Sequence, residues 1–281
     1  LPGSDKNYVR KGFVSFIEAT DWGKPDSVIL RHENTIPHSV ADRVEVLKAT
    51  ELNVSPTHGL YFDPDFELEQ YMDESQLNPI YETEDYQGVK DVLSVIHDRN
   101  IIQKFIDKLG PEKIILADGH HRLESSIQYR QEMVEKQGSG GHEGFNFHLM
   151  YLTNGEADDL RILPTHRLIN GINDFSREEF MKKLEPYFFI RPIENPYDIT
   201  EIILGKQWAF GLLFKDETFK VRLKPEALDA MEWNFPEVVK RLDLTVMHYF
   251  IIEKALGIKG KDQRKSRNIS FERNFATCLS K

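Results

Sequence analysis

The five residues Asp118-Gly119-His120-His121-Arg122 set a carboxylate, a glycine, two imidazoles and a guanidinium side by side. They follow the apolar run KIILAD (113–118) and precede HRLESSIQYRQEMVEKQ, whose Leu123, Ile127, Tyr129 and Met133 form an apolar set. A strand therefore hands over to a helix at this point. A helix N-terminus carries unpaired N–H groups and about half a positive charge, which attract anions. Gly119 lets a ligand come close to the backbone. Arg122 offers a planar fork of donors suited to phosphate or carboxylate. His120 and His121 can donate, accept or exchange protons near neutral pH. Asp118 is a helix cap, a histidine orienter or a cation ligand. Anion binding is the sharp expectation, and an Asp-capped turn with solvated histidines is the plain one.

A metal centre is the competing chemistry. Adjacent helical histidines point roughly 100° apart, so His120 and His121 do not chelate one ion as an i, i+4 pair does. Further ligands would have to come from His32, Glu33, His58 or His166. A second cluster lies in RHENTIPHSVADR (31–43), where His32-Glu33 ends a strand and Arg43 lies one turn into the next element. A carboxylate there can serve as a general base, or simply as a salt-bridging residue. A third cluster is PTHR (164–167), whose Thr165 and Arg167 can contact a phosphate or stitch the halves of the chain together. His97, His142, His148 and His248 are read as structural or surface residues, and Cys278 as incidental.

The chain has 281 residues, with 36 Lys and Arg against 46 Asp and Glu. An overall acidic balance argues against a broad nucleic-acid or anionic-membrane surface, yet permits a local basic pocket. One cysteine rules out an internal disulfide, and no zinc-type spacing is present. No run reaches the roughly 18 apolar residues of a membrane span, and a cytoplasmic location is expected. The chain begins Leu-Pro-Gly-Ser without a Met, which suggests that an N-terminal portion is missing.

The elements that must position these clusters read as follows. Strands are expected over 11–19, 27–33, 57–63, 89–98, 113–118 and 145–154, with a short one in NPIYETE. Helices are expected over 39–52, with Ser39 as N-cap, over 100–110, and after the DGHHR turn. GSGGHEG (138–144) lacks a P-loop ending and reads as a flexible loop. Beyond an extended 160–170 come a helix over 176–188 with a Ser176/Glu179 capping box, a hairpin over 208–224 and a long apolar helix over 236–258. Hairpins mixed with helices give an α+β class. Two domains are expected, 1–155 and a smaller α+β domain over 156–281.

ILADGHHRLESSIQYR, LRHENTIPHSVADRVEVLKATELNVSP and ILPTHRLI together resemble the domain-of-unknown-function family 1015. Its His-Glu-x-Thr, Asp-Gly-His-His-Arg and Pro-Thr-His-Arg segments occur in that order, although Leu123 stands where an aromatic is common. The Gly-His-His-Arg segment is similar to the phosphate-binding turn of the ParB/sulfiredoxin superfamily, which implies a ParB/sulfiredoxin-like first domain. Within it, the free serine kinases pair a His-Glu segment with a later Asp-Gly-His turn. That likeness implies Glu33 as base with His32 beside it, and Asp118 as a catalytic group or Mg²⁺ ligand. Gly119, His120, His121 and Arg122 would cradle the phosphates of ATP or ADP, with Arg43, Thr165, His166 and Arg167 as further ligand-binding candidates. The expected partner is a small phosphorylated or nucleotide ligand, and the expected activity transfers a phosphoryl group to a small hydroxylated metabolite. A non-catalytic nucleotide-responsive regulator and a histidine metallohydrolase are the alternatives.

Overall fold

In FVSFIE every second side chain is drawn inward, the period-2 pattern of a half-buried strand. These residues form strand β1 (Phe13–Glu18) of a computed structural model that describes residues 9–22, 27–86, 88–160 and 165–280. The chain divides into two units, Leu1–Arg161 and Ile162–Lys281. Both are mixtures of helices and strands.

The first unit continues with β2 (Ile29–Leu30), α1 (Pro37–Thr50), β3 (Thr57–Tyr61), α2 (Glu69–Ser75), β4 (Tyr81–Glu84) and β5 (Lys90–Leu93). Then come α3 (Arg99–Leu109), β6 (Ile114–Asp118), α4 (His120–Gln137) and β7 (Phe147–Asn154). Five strands make a mixed sheet in the order β1-β7-β3-β6-β2. Its centre is β3, parallel to β7 and antiparallel to β6, with a bulge between His58 and Gly59. The core joins Leu116 of β6 and Met150 and Leu152 of β7 to Leu123 and Ile127 of α4. Helix α1 packs on α4 and buries Val40 and Val44.

Several boundaries differ from the sequence reading. The strand expected over 27–33 pairs only at Ile29–Leu30, so Arg31, His32 and Glu33 leave the sheet. Helix α1 starts at Pro37 with Ile36 as the capping position, which puts Ser39 inside it. Proline is suited to that first position, since its missing N–H would have no helical partner. The strand expected over 89–98 is the four-residue β5, paired with β4 as a separate hairpin.

The second unit holds β8 (His166–Ile169), α5 (Arg177–Leu184), β9 (Phe188–Ile193), α6 (Ile199–Ile203), β10 (Ala209–Leu213), β11 (Thr218–Leu223) and β12 (Ile269–Glu272). The strand order β10-β11-β9 is antiparallel throughout, and β8 pairs with β12. Ser176 Oγ accepts from Glu179 N at 3.3 Å, which caps α5. The helix ends at Leu184 rather than 188, and Phe188 opens a strand instead. The long helix expected over 236–258 is broken into Glu237–Lys240, Asp243–Val246 and a π-helix, Met247–Ala255. Leu242 is extended between the first two, and the carboxylate of Asp243 accepts from the backbone N of Trp208. Residues 161–164 of the 160–170 segment, Pro164 among them, lie outside the described residues. Among the described residues no helix is long and apolar enough to cross a membrane.

Gly59 sets how closely β3 lies against its neighbours. A Cβ there would meet Met150 Sδ at 2.5 Å and Ile114 Cγ2 at 2.8 Å. Gly59→Ala is expected to destabilise the first unit by about 1–3 kcal/mol through overpacking. A urea titration followed by fluorescence checks this: the midpoint falls while the slope is unchanged.

Candidate functional site

Strand β6 runs directly into α4 with one residue between them, and that residue must reverse the chain. Gly119 does so at φ +94°, a conformation that carries a steric penalty for any residue with a Cβ. A Cβ would also lie 2.6 Å from Thr57 Cγ2 and 3.0 Å from the Arg122 guanidinium. Among the described residues no side chain caps the first turn of α4. Asp118, expected as its cap, instead accepts from Arg122 Nη2 at 2.7 Å, and its side chain is 75% exposed.

Arg122 is held on both sides. Its Nη1 donates to Ser55 Oγ at 2.7 Å and to the carbonyl of Pro56. The guanidinium is thus committed first to fastening the 55–56 turn and Asp118 beside the helix start.

The paired histidines diverge, as helix geometry requires. His121 Nε2 accepts from the backbone N of Ile36 at 3.0 Å and so caps α1. His120 is 2% exposed, with Nδ1 3.3 Å from Glu33 Oε1. The carboxylate only accepts, so it favours the proton on Nδ1. His120 Nε2 is buried without a hydrogen-bond partner. The ring of His32 meets that of His120 edge-on at 4.4 Å, and Trp22 lies 5.8 Å away. Burial, then the neighbouring His32, pushes His120 below the ordinary histidine value, against the pull of Glu33 and Asp118.

These groups line one cleft of about 600 Å³. Glu33, Arg43, Asp118, Gly119, His120, His121 and Arg122 all reach it. His32 touches the ring of His120 but does not line the cleft. Val46, Leu47, Leu52 and Val54 supply an aliphatic wall. The cleft therefore joins the donor-rich start of α4 and the guanidinium of Arg43, which also pairs with Asp42, to an apolar side. Among the described residues no three His, Cys, Asp or Glu side chains converge as a metal-holding group.

Thr165, His166 and Arg167 belong to the second unit. Arg167 Nη2 donates to His248 Nε2 at 3.2 Å. Gln263 Nε2 donates to the carbonyls of His248 and Ile258, so its Oε1 faces His248 Nδ1 and places the proton there. Arg167 Nη1 donates to the carbonyl of Thr165, and the ring of His166 lies 5.4 Å from that of Phe275. These contacts give the segment a packing role within its own unit.

The most informative residue missed in the sequence is His148. It lies in the cleft floor, almost fully buried, between Thr57 Oγ1 at 3.0 Å from Nε2 and Ser126 Oγ at 2.7 Å from Nδ1. Burial, with Arg122 adding repulsion, pushes its pKa down to about 4. The signal was available in the alternation of β7, where His148 shares the inward face with Met150 and Leu152.

The neutral His148 links stability to pH. Between pH 6.5 and about 4 the unfolded chain binds a proton that the folded chain refuses, so stability falls as the pH drops. The expected loss is up to about 3 kcal/mol across that window. Urea titrations at several pH values on the wild type and on His148→Gln check it. The variant should lack that part of the slope, and equal slopes would contradict the assignment.

A family described as "Protein of unknown function (DUF1015)" matches residues 3–245. Neither a curated protein nor a solved structure matches the chain.

Proposed function

The chain belongs to the DUF1015 family, proteins of unknown function, and we propose that its first unit binds a phosphorylated small molecule, best a nucleotide, in the α4 cleft. The observation that carries this reading is the uncapped first turn of α4. It opens through Gly119 into a cleft that also holds Arg43 and an aliphatic wall. Helix N–H groups and dipole suit a phosphate, Arg43 adds charge, and Val46, Leu47, Leu52 and Val54 suit the apolar face of a base. The motif likeness to the ParB/sulfiredoxin phosphate turn supports the same assignment.

The placement of Glu33 extends the reading to phosphoryl transfer. Half-exposed and lining the cleft, it is steadied by His120 and can take the proton from a substrate hydroxyl. The acceptor oxygen would form a bond to the terminal phosphorus, and the bond to the bridging oxygen would break. A nucleoside diphosphate leaves. Asp118, at the exposed edge of the turn, would hold Mg²⁺ together with phosphate oxygens, an arrangement that needs only one or two protein carboxylates. The ion would neutralise phosphate charge. Arg122 is a brace in this scheme, and phosphate contact falls to the backbone and Arg43.

Calorimetric titration with ATP, ADP and inorganic phosphate tests the reading. ATP or ADP should bind, and Arg43→Ala should weaken binding about tenfold, or ~1.4 kcal/mol. Glu33→Gln should retain binding and lose phosphoryl transfer to small hydroxylated acceptors. No binding of any of the three probes would overturn the assignment. Unchanged nucleotide turnover in Glu33→Gln would reduce it to a binding protein.

A further inference from the structure

The acidity of the chain is confined to one end. Residues 1–161 hold sixteen Lys and Arg against twenty-nine Asp and Glu, whereas 162–281 hold twenty against seventeen. Within the second unit, cations gather on one face of the β9–β11 pair. Arg191 of β9 is directly opposite Lys220 of β11, and Phe189 is opposite Arg222. Side chains two apart on a strand share a face, so Arg191, Lys220, Arg222 and Phe189 lie together. Lys206, just beyond α6, approaches Lys220 closely enough to repel it, as do Arg191 and Arg222. Among the described residues none of these four cations forms an ion pair. Like charges set directly opposite across a sheet are destabilising, and soluble surfaces ordinarily intersperse the two signs. Phe189, 55% exposed, adds apolar area beside them.

The first unit carries a surface of the opposite kind. Strands β4 and β5 form a two-stranded hairpin that joins no larger sheet. Such a hairpin is marginal in water by itself. It bears Glu82 and Glu84, and Glu82 pairs with Lys90 of the same hairpin. Glu84 is directly opposite Lys90; Ile80, just before the strand, is 63% exposed, and Tyr81, on the other face, is 61% exposed. Acidic groups next to uncovered apolar side chains match cationic groups next to an uncovered aromatic.

We infer that the Arg191–Lys220–Arg222 face of one copy docks on the acidic hairpin, residues 81–93, of a second copy of this chain. Four cations make a short track for a nucleic acid, whose binding scales with the number of phosphates neutralised. The excess of acids in the first unit would also oppose a polyanion. The same excess favours a partner copy, since the hairpin lies within it. This inference is independent of the nucleotide reading.

Sedimentation velocity on the full chain at low and high salt tests it. The wild type should associate at about 50 mM salt and dissociate at about 500 mM, as screening requires. Lys220→Glu/Arg222→Glu and Glu82→Lys/Glu84→Lys should each remain monomeric. Mixing the two variants restores opposite charges across the contact and should restore association. Association unaffected by either reversal, or a wild type that is monomeric at low salt, would overturn the inference. So would a monomer that binds a single-stranded oligonucleotide through Lys220 and Arg222.

Discussion

One guanidinium holds the cleft in shape. Arg122, in the first turn of α4, fastens Ser55 and Pro56, which lie more than sixty residues earlier in the chain, and also Asp118 at the end of β6. The start of β3, the end of β6 and the start of α4 are thereby tied at one point. Gly119 is what allows the tie. Any side chain there would collide with Thr57 and with Arg122 itself. The cation most exposed to notice in the sequence thus acts as a brace for the helix turn beside it.

Two of the imidazoles around the brace are kept from adding charge, and the third ties α4 to α1. His148 and His120 are both pushed toward neutrality by burial, and His121 uses a ring nitrogen as an acceptor at the start of α1. The neutral rings of His120 and His148 near the start of α4 avoid an accumulation of positive charge that the folded state would have to bear. The two helices that form the cleft walls are linked, because His121 on α4 caps α1 while Ser125 of α4 donates to the carbonyl of Val40. The geometry of the cleft therefore rests on hydrogen bonds between elements far apart in sequence.

The sequence was most legible where a local rule suffices. The strand-to-helix turn at 118–122, the alternation of β7, the Ser176 cap and the 208–224 hairpin each follow from a few adjacent residues. Three ordered motifs were enough to identify the family. Residue type and motif single out Glu33, Arg43 and Asp118–Arg122, and the fold brings them to one cleft. What local pattern could not supply was the pairing between distant groups. Nothing near Arg122 announces Ser55, nothing near His121 announces Ile36, and His148 looked like an ordinary strand histidine. The apolar run over 236–258 read as one helix because periodicity does not register an extended Leu242 fixed by a tertiary bond from Trp208 to Asp243.

The central claim is that a phosphate group binds at the uncapped start of α4. Backbone amide chemical shifts followed by NMR as ADP is added address it directly. The account predicts saturable shifts largest at Gly119, His120, His121 and Arg122, with smaller ones near Arg43 and the Val46–Leu47 wall. Shifts that leave residues 119–122 unmoved while ADP binds elsewhere, or no shifts at saturating ADP and phosphate, would contradict it.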